Sequence, residues 1–392
     1  MLRFSPSPTR DICLQDIRIA LLNYLVAQQT NDTLLLRIAD TNKEKVIEGK
    51  DTEIVQILEK FAIKDDLRYH QSEHLNLHQT LAIQLLENHK AFLCKCVDKE
   101  KCEQDCQNLT EDELKIFKDK KEPFVIRIIG DKDIDSFIIL HTDSTPSYDF
   151  ACACDDIFDD INYVIEDIKH LHHSTKQIYI KSKLGYDKEC IYTHIADIED
   201  TISLQTLFEE GFIPDAIINY LLSMGYDDVP YEIFTLPDAI KWYDINKISQ
   251  ENIKFDIDKL KKINQKHLMA LDDKELSKVF GFADADIGKV AKIYLENTQT
   301  IKELEDKIKP IFTPKDFECE CKDDMLTIQK VLFDAPLLDT LDELEEYIIK
   351  HTNLTKENIK EPLKRLITNS SKEVELQKIY PLIKFYLLEV IS

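Results

Sequence analysis

The segment from Arg3 to Gln28 constrains the fold more than any other part of the chain. It begins with a short apolar strand, continues through a loop that contains Pro6 and Pro8, and enters a helix with apolar residues at helical spacing. Such a strand–loop–helix unit is typical of α/β folds that bind nucleotides, because the first free N–H groups of the helix face the phosphates. The segment predicts an α/β domain with a binding site at the beginning of this helix.

The loop lacks the residues that such a site normally uses. Close approach of the backbone to a phosphate favours glycine, and a His or Lys that meets the anion adds to the site. The sequence has neither Gly nor His between Thr9 and Ile19, and it places the carboxylates of Asp11 and Asp16 there. Because like charges repel at close range, we expect weak binding of a triphosphate such as ATP.

Composition limits the remaining possibilities. The chain has 392 residues, 43% of them hydrophobic, with only 7 Gly and 12 Pro, which indicates two or more domains dominated by long helices. A net charge of −24 argues against DNA as a partner and restricts any RNA contact to a local basic patch. Free thiols and the lack of a membrane-spanning apolar run predict a cytoplasmic protein with no membrane partner.

One group of cysteines has the composition of a metal site. Cys94, Cys96, Cys102 and Cys106 fall within a short span of the sequence. Four thiolates can enclose zinc tetrahedrally, and such a site is structural because it leaves no position for water. The gaps between these residues do not follow a stereotyped zinc pattern. The sequence therefore predicts either a structural zinc site or four ordinary free thiols.

Other groups of His and Cys give weaker indications. His70, His74 and His78 recur every four residues, which predicts a helix face with exposed imidazoles and permits a metal pair without requiring one. Two further groups are interpreted as polar or exposed segments without a metal: His170, His172 and His173 beside Asp167, and Cys319 with Cys321.

The N-terminal segment resembles a known family. SPSPTRDICLQDIRIALLNYLVAQ is similar to APSPTGxxHIGxxRxALFNxLxA, the opening pattern of the glutamyl-tRNA synthetases, which are class I enzymes. The SPSPT core, Arg18 and Asn23 match without a gap, whereas the family histidine falls on Cys13 and a family glycine falls on Gln15. The resemblance implies a Rossmann-type catalytic domain whose ATP-binding motif is degenerate.

Two more departures fall on residues that, by this resemblance, contact the amino acid. LLLRIADTN resembles the family's FxLRIEDTD, and Ala39 replaces the glutamate that contacts the substrate amino group. In the segment that resembles HVIRGEDH, Glu166 replaces the arginine that reads the side-chain carboxylate of glutamate. A carboxylate facing a carboxylate is unfavourable, so we expect glutamate to be rejected. Alternatively, Glu166 is solvated on a loop and Lys169 or Lys176 rebuilds the pocket.

The resemblance also supplies a set of substrate-binding residues. Tyr148 fits a substrate-pocket tyrosine, and Asp149 takes the place of its asparagine neighbour. The full predicted set is Arg3, Ser5, Ser7, Tyr148, Asp149, His170 and Gln177.

The lysine-rich loop of the family has no counterpart at the expected place. In the family, a KMSKS-type lysine stabilises the phosphates during adenylate formation. Residues 196–205 contain no Lys or Arg, although the following segment resembles the family closely, and the loop is shortened. ELSK at 275–278 resembles the motif only in its letters, because it lies far along the chain in a predicted helix.

The matches extend to the C-terminus and define a predicted architecture of α/β plus all-α class. Residues 1–80 and 140–195 are expected to form the Rossmann-type catalytic-like domain, and residues 81–139 an insertion domain. Residues 196–290 are expected to form a helical domain that contacts the tRNA stem, and residues 291–392 a helical anticodon-binding-like domain.

These observations lead to two functional hypotheses. The first is a pseudo-synthetase that keeps the glutamyl-tRNA synthetase shape without ATP-dependent glutamylation and binds tRNA or another translation protein. The second is an active but divergent ligase whose pocket is rebuilt from Arg3, Ser7, Tyr148, Lys169 and Lys176. A third, weaker hypothesis is a scaffold that binds only proteins.

Overall fold

A computed structural model describes residues 1–97, 99, 101–110, 122–370 and 375–392. The described chain divides into two compact units. The first unit comprises Met1–Leu204 and Leu221–Phe255, and the second comprises Gln205–Tyr220 and Asp256–Ser392. The predicted α/β plus all-α class is confirmed, because the first unit contains a parallel sheet and the regular structure assigned to the described part of the second is helical.

The first unit is built on a five-stranded parallel sheet. Its strands are β1 (Leu2–Phe4), β2 (Leu34–Ile38), β3 (Leu67–His70), β7 (Tyr163–Asp167) and β8 (Ile191–Ile195), in the spatial order β3-β2-β1-β7-β8. The order reverses at β1, so the carboxyl ends of β1 and β7 border the crevice in which open α/β sheets bind ligands.

A smaller antiparallel sheet is inserted between β3 and β7. It consists of β4 (Ala91–Cys94), β5 (Val125–Ile128) and β6 (Phe137–Leu140), which pair in sequence order. A third, two-residue parallel pairing joins β9 (Ile198–Glu199) to β10 (Ile253–Lys254).

Helices cover the sheets of the first unit. They are α1 (Leu14–Thr30), α2 (Lys50–Lys60), α3 (Leu75–Glu87), α4 (Tyr148–Phe158) and α5 (Leu171–Leu184), with α8 (Leu236–Trp242) later in the chain. Helix α1 is buried along most of its length, so its apolar spacing reflects a core helix rather than an amphipathic surface helix.

Two helices, α6 (Leu204–Glu209) and α7 (Pro214–Ser223), contribute residues to both units. The helices of the second unit are α9 (Ile257–Ala270), α10 (Asp273–Val279), α11 (Asp286–Leu295), α12 (Ile301–Ile308), α13 (Lys322–Phe333), α14 (Leu341–His351), α15 (Lys356–Thr368), α16 (Leu376–Ile383) and α17 (Leu387–Ile391). Buried Met325, Ile328 and Leu363 belong to its largest apolar cluster. Among the described residues, no helix is long and apolar enough to cross a bilayer.

The segment before α2 differs from the prediction. The apolar spacing predicts a helix from Glu44 to Phe61, but the helix begins at Lys50. Gly49 precedes it with a φ of +76°, a left-handed conformation that glycine adopts without steric cost and that interrupts a helix. Val46, predicted on the apolar side of the helix, is exposed.

Candidate functional site

A cavity of about 350 Å³ opens at the carboxyl ends of β1 and β7. Its walls come from the end of β1 and the loop that follows, the beginning of α1, the first residue of α4, the end of β7 and the region around the start of α5. Its charged and hydrogen-bonding lining residues include Arg3, Ser5, Ser7, Arg10, Asp16, Tyr148, Glu166, Asp167, His170 and His173. The position is where a doubly wound sheet binds its ligand.

Arg3 lies in the wall of this cavity with its guanidinium already engaged. Its Nε donates to Asp156 Oδ1 at 2.8 Å and its Nη2 to Asp156 Oδ2 at 3.5 Å. The same Nη2 lies 3.8 Å from Glu166 Oε2. Arg3 is only 4% exposed, so these contacts are shielded from solvent and are stronger than surface ion pairs.

Asp156 is the centre of a buried charge layer that we define as Arg3, Arg37, Asp155, Asp156 and Lys181. Arg37 Nη1 lies 3.0 Å from Asp156, and Lys181 Nζ lies 3.1 Å from it. Burial disfavours the charged form of Asp156, but the charges of Arg3, Lys181 and Arg37 outweigh burial and hold the pKa of this carboxyl well below its usual range. Asp156 is therefore ionised.

Glu166 is satisfied by neighbours on two other elements. Ser174 Oγ donates to Glu166 Oε1 at 2.5 Å, and His194 Nε2 lies 3.4 Å from the same oxygen and 2.8 Å from Ser174 Oγ. Burial opposes ionisation of Glu166, but the hydrogen bond with His194, the charge of Arg3 and the Ser174 hydroxyl lower its pKa. An ionised carboxylate of the protein itself thus occupies the neighbourhood of Arg3.

The alternative position for Glu166, solvated on a loop, is wrong. Glu166 belongs to β7 and is 6% exposed, and Asp167 is buried at the end of the same strand. Lys169 pairs instead with Asp197 at 2.6 Å, and Lys176 lies 3.7 Å from Asp149. Neither lysine is part of the cavity lining found among the described residues.

The N-terminal end of α1 is capped by its own side chain. Asp16 Oδ2 accepts a hydrogen bond from the N–H of Cys13 at 2.8 Å. Arg10 donates to both oxygens of Asp16, at 2.6 and 2.9 Å. Burial and the Asp16 charge raise the pKa of the Cys13 thiol, so Cys13 offers neither positive charge nor a thiolate here. The helix end that would meet a phosphate holds a carboxylate–guanidinium pair.

The segment after β8 is held by α1 and by β10. Gln15 Nε2 and Arg18 Nη1 both donate to the carbonyl of Ala196 at 3.2 Å. Asn252 Nδ2 donates to Glu199 Oε1 at 3.0 Å, beside the pairing of β9 with β10. Gln15 and Arg18 therefore hold the segment between β8 and β9 against α1.

The other predicted binding residues divide into two groups. Ser5 Oγ accepts from Arg37 Nε at 3.2 Å, and Ser7 Oγ donates to the carbonyl of Ala39 at 3.1 Å, so both serines support the wall that they line. Tyr148 and His170 also line the cavity, with ring centroids 6.5 Å apart.

Asp149 and Gln177 are buried outside this lining, as far as the described residues show. Asp149 Oδ1 lies 2.6 Å from His173 Nδ1 and so orients a histidine that does face the cavity. Gln177 in α5 is fully buried, and its amide atoms have no hydrogen-bond partner among the described residues.

The predicted helix face of three histidines is wrong. Only His78 lies in α3; His70 is the last residue of β3, and His74 precedes the helix. His78 is fully buried and lies 2.8 Å from Asp155 Oδ1, and His74 Nδ1 lies 3.0 Å from the same oxygen. These two imidazoles thus share one buried carboxylate instead of pointing into solvent, whereas the side chain of His70 is 39% exposed.

The four cysteines of the insertion form one cluster, which we call the four-cysteine cluster. The Sγ atoms of Cys94, Cys96, Cys102 and Cys106 all lie within 4.8 Å of one another, and three of the four residues are buried. A tetrahedral zinc site with Zn–S distances of about 2.3 Å has sulfur–sulfur edges of about 3.8 Å. The Cys106 N–H also points to Cys102 Sγ at 3.4 Å. This cluster could hold a metal ion.

Sequence reasoning missed the residues beneath the cavity. Asp155, Asp156, Ser174, Lys181 and His194 do not stand out in any motif. One signal was present, because the two aspartates follow the apolar run of α4 and a carboxylate on a buried helix face requires cationic partners. The partners themselves lie on β1, β2, α3 and α5, and only the fold brings them together.

The chain is similar in sequence to class I tRNA synthetases. The family model of the catalytic domain of class I tRNA synthetases (E and Q) matches residues 1–133 and 118–262. Glutamate–tRNA ligase 2 of Sulfurovum sp. (strain NBC37-1) is 46% identical over 430 positions, and glutamate–tRNA ligase 2 of Sulfurimonas denitrificans is 40% identical over 436 positions. Each comparison covers 100% of this chain and 100% of the relative.

Solved structures show the same fold. A glutamate tRNA ligase from Elizabethkingia meningosepticum in complex with its amino acid superposes with a TM-score of 0.79 at 20% identity, covering 100% of this chain and 98% of that chain. A glutamate–tRNA synthetase from Elizabethkingia anophelis gives a TM-score of 0.76 at 21% identity over the same shares of the two chains. The resemblance carried by the SPSPT segment is thereby confirmed.

Proposed function

Because this chain belongs to the glutamate–tRNA ligase family of class I tRNA synthetases, we propose that it keeps the tRNA-directed scaffold of that family without ATP-dependent glutamylation. We propose that it acts as a tRNA- or synthetase-binding paralogue. The observation that carries this proposal is the position of Glu166, whose carboxylate lies beside Arg3 in the cavity wall.

The first step of the argument concerns the amino acid. The cavity lining contains two arginines that could meet a substrate carboxylate. Arg10 pairs with Asp16. Arg3 is already bound by Asp156 and neighboured by Glu166. Asp156 and Glu166 both have lowered pKa values and stay ionised near neutral pH. Adding a third carboxylate to a buried space with two is unfavourable unless another cation enters. Glutamate binding should therefore be weak.

The second step concerns ATP. Adenylate formation depends mainly on positioning and on electrostatic stabilisation of the phosphates. At the α1 N-terminus, Asp16 accepts the Cys13 N–H and neutralises Arg10. In the segment after β8, Asp197 pairs with Lys169 and no lysine occurs between residues 196 and 205. Loss of one such stabilising donor costs roughly 3–4 kcal/mol, so the combined losses should reduce adenylation by many orders of magnitude.

The comparison with the relatives leaves room for a shortened phosphate loop. The comparison with the Sulfurovum protein spans 430 positions against 392 residues here, which leaves about 38 positions with no residue of this chain. The segment from β8 to α6, which resembles the family with its lysine loop shortened, is one place where such positions would fall.

An active ligase is the second candidate, favoured by the full-length likeness to relatives named glutamate–tRNA ligase. ATP–pyrophosphate exchange separates the two. The purified chain is assayed with glutamate, glutamine and each other amino acid, with and without bulk tRNA, beside an authentic glutamate–tRNA ligase. We expect exchange at background for every amino acid. Exchange that depends on one amino acid and approaches the control rate would overturn the proposal.

Binding of tRNA is tested separately. A gel shift with bulk tRNA is repeated across a salt series, because genuine phosphate contacts weaken steeply as salt rises. We expect a shifted complex at low salt that dissociates as salt rises. Absence of any shift, with protein partners still recovered from the native host, would favour a scaffold that binds only proteins.

For the four-cysteine cluster, we propose one structural zinc ion per chain. Cys94, Cys96, Cys102 and Cys106 supply four sulfur ligands, which leave no open position, so the ion would hold the insertion together and take no part in chemistry. Elemental analysis of protein purified without chelator is expected to find one zinc per chain. A folded preparation free of zinc would contradict this.

A further inference from the structure

A second group of sulfur atoms lies in the second unit, where the sequence predicts exposed loop thiols. Cys319 Sγ is 3.0 Å from Cys321 Sγ and 3.5 Å from Met325 Sδ. We propose that Cys319, Cys321 and Met325 form a binding site for a soft monovalent cation of the Cu(I) type. We call this group the sulfur triad.

The beginning of α13 fixes two members of the triad. Cys321 is the residue immediately before α13, and its carbonyl accepts the Met325 N–H at 2.9 Å in the first turn. Residues four apart in a helix lie on one face, so the two side chains project to the same side. Cys319, two residues earlier, places its sulfur beside both.

The triad lies at the edge of an apolar core. Met325 is fully buried in an apolar cluster of the second unit, and both cysteines are half-buried and pack against that cluster. The exposed residues next to them in the chain carry both signs of charge: Glu318, Glu320, Lys322 and Asp323. The Arg365 guanidinium also acts on both thiols and pairs with Glu361 at 2.9 Å. Because charges of both signs surround the triad, the soft sulfur donors and not the surrounding charge would hold the ion.

The donor atoms select the kind of ion. Two thiols and a thioether are soft ligands and favour Cu(I), whereas magnesium and calcium require oxygen ligands. Structural zinc sites use four ligands drawn from Cys, His and carboxylates. The triad offers three sulfurs, one of them a thioether, which is one ligand short of a structural zinc site.

The test measures Cu(I) uptake by the full chain under anaerobic, reducing conditions against the chromogenic competitor bathocuproine disulfonate. Because the four-cysteine cluster also has thiols, the readout is the difference between wild type and the double variant Cys319→Ser/Cys321→Ser. We expect the double variant to take up one Cu(I) fewer per chain. Equal uptake would overturn the proposal.

Met325→Leu examines the thioether without removing a thiol, and Met224→Leu is its control, because Met224 is also buried but lies in the first unit. Relative to wild type, we expect Met325→Leu to weaken the binding of one Cu(I) per chain at least tenfold and Met224→Leu to leave Cu(I) binding unchanged. Equal affinities would remove Met325 from the site and overturn the triad.

Thermal melting of each variant verifies folding. If the double variant is unfolded, the Met325→Leu comparison still decides the outcome. Thiol titration after exposure to oxidised glutathione provides a further check: a pair that becomes a disulfide, with no Cu(I) site in the reduced chain, would identify a redox pair and overturn the metal site.

Discussion

The buried charge layer and the four-cysteine cluster show two opposite ways of assembling reactive side chains in the first unit. In the buried charge layer, every ionised group lies within about 4 Å of a group of opposite charge. In the four-cysteine cluster, four sulfurs face one another within 4.8 Å. The first arrangement is complete without a ligand, whereas the second has the composition of a ligand shell.

The difference explains what each region can bind. A buried guanidinium that already has a carboxylate partner is stabilised little by a second carboxylate. The buried charge layer should therefore disfavour acidic ligands. Burial raises the pKa of Cys94 to about 12, and bringing its thiol into a zinc site requires the proton to leave, which links metal affinity to pH. In one region the cations already have carboxylate partners, whereas the other could hold a metal cation.

Removal of the cation should have the largest effect. If zinc holds the four-cysteine cluster, its removal costs the apparent binding energy of a structural site, about 10 kcal/mol or more at pH 7. We expect chelator-treated protein to lose amide-exchange protection in β4 and β5, while β1 and β2 keep theirs. Unchanged amide-exchange protection in β4 and β5 after zinc removal would show that the four-cysteine cluster, like the buried charge layer, is stable without a ligand.

Removal of the negative charge of Asp156 should have the second-largest effect on stability. Asp156→Asn removes the partner shared by Arg3, Arg37 and Lys181, and breaking a buried ion pair on one side costs about 3–5 kcal/mol. Urea unfolding measures the change. Asp160→Asn is the control, because Asp160 is exposed and its contact with Lys188 is a solvent-screened surface ion pair that contributes little to stability. A similar decrease in unfolding free energy for both variants would show that burial does not strengthen the ion pairs of the buried charge layer.

Glu166→Gln should have a smaller effect, because Asp156 still neutralises Arg3. Loss of hydrogen bonds to a charged group predicts a decrease in unfolding free energy of about 1–3 kcal/mol, again from urea unfolding, with exposed Glu189→Gln as control. A variant as stable as wild type would show that Glu166 is not held by Ser174 and His194.

The pH dependence of stability should be the finest measure of the comparison. The pKa values of Asp156 and Glu166 are lower in the folded chain than in the unfolded chain. Their stabilisation is therefore full above the unfolded values of about 4 and is lost as pH falls through the folded values. The free energy of unfolding should therefore decrease as pH falls below about 4, and these two carboxyls contribute to that decrease.

Glu166→Gln serves as the comparison for this measurement. Below about pH 4 its unfolding free energy should fall less steeply than that of wild type, because one of the two shifted carboxyls is gone. Parallel curves for the two proteins would show that the Glu166 pKa is not lowered by folding.

Local patterns predicted the elements of the fold better than they predicted its charges. The strand–loop–helix of residues 3–28 and the buried run that became β2 follow from apolar spacing, and both are confirmed. The helical turns predicted before α2 were wrong, because Gly49 interrupts the helix although the apolar residues keep their helical spacing in the sequence. Periodicity reports where apolar residues recur but not where the backbone turns.

The cavity was harder to predict because its energetics depend on long-range contacts. Glu166 was recognised only through the family resemblance, and its partners Ser174 and His194 come from α5 and β8. His78 was expected in solvent because histidines are often partly exposed, yet Asp155 draws it into the interior. A buried carboxylate changes the expected location of every base near it, and no local pattern records that.

The short pairing of β9 with β10 has a kinetic consequence. Ile198 and Glu199 are hydrogen-bonded into a sheet with Ile253 and Lys254, and Ala196 is held by two side chains of α1. Contacts at both places predict that this segment keeps its position when a ligand enters the cavity. Any small molecule that enters should therefore associate in a single exponential phase whose rate rises linearly with concentration, without the plateau that a closing gate imposes.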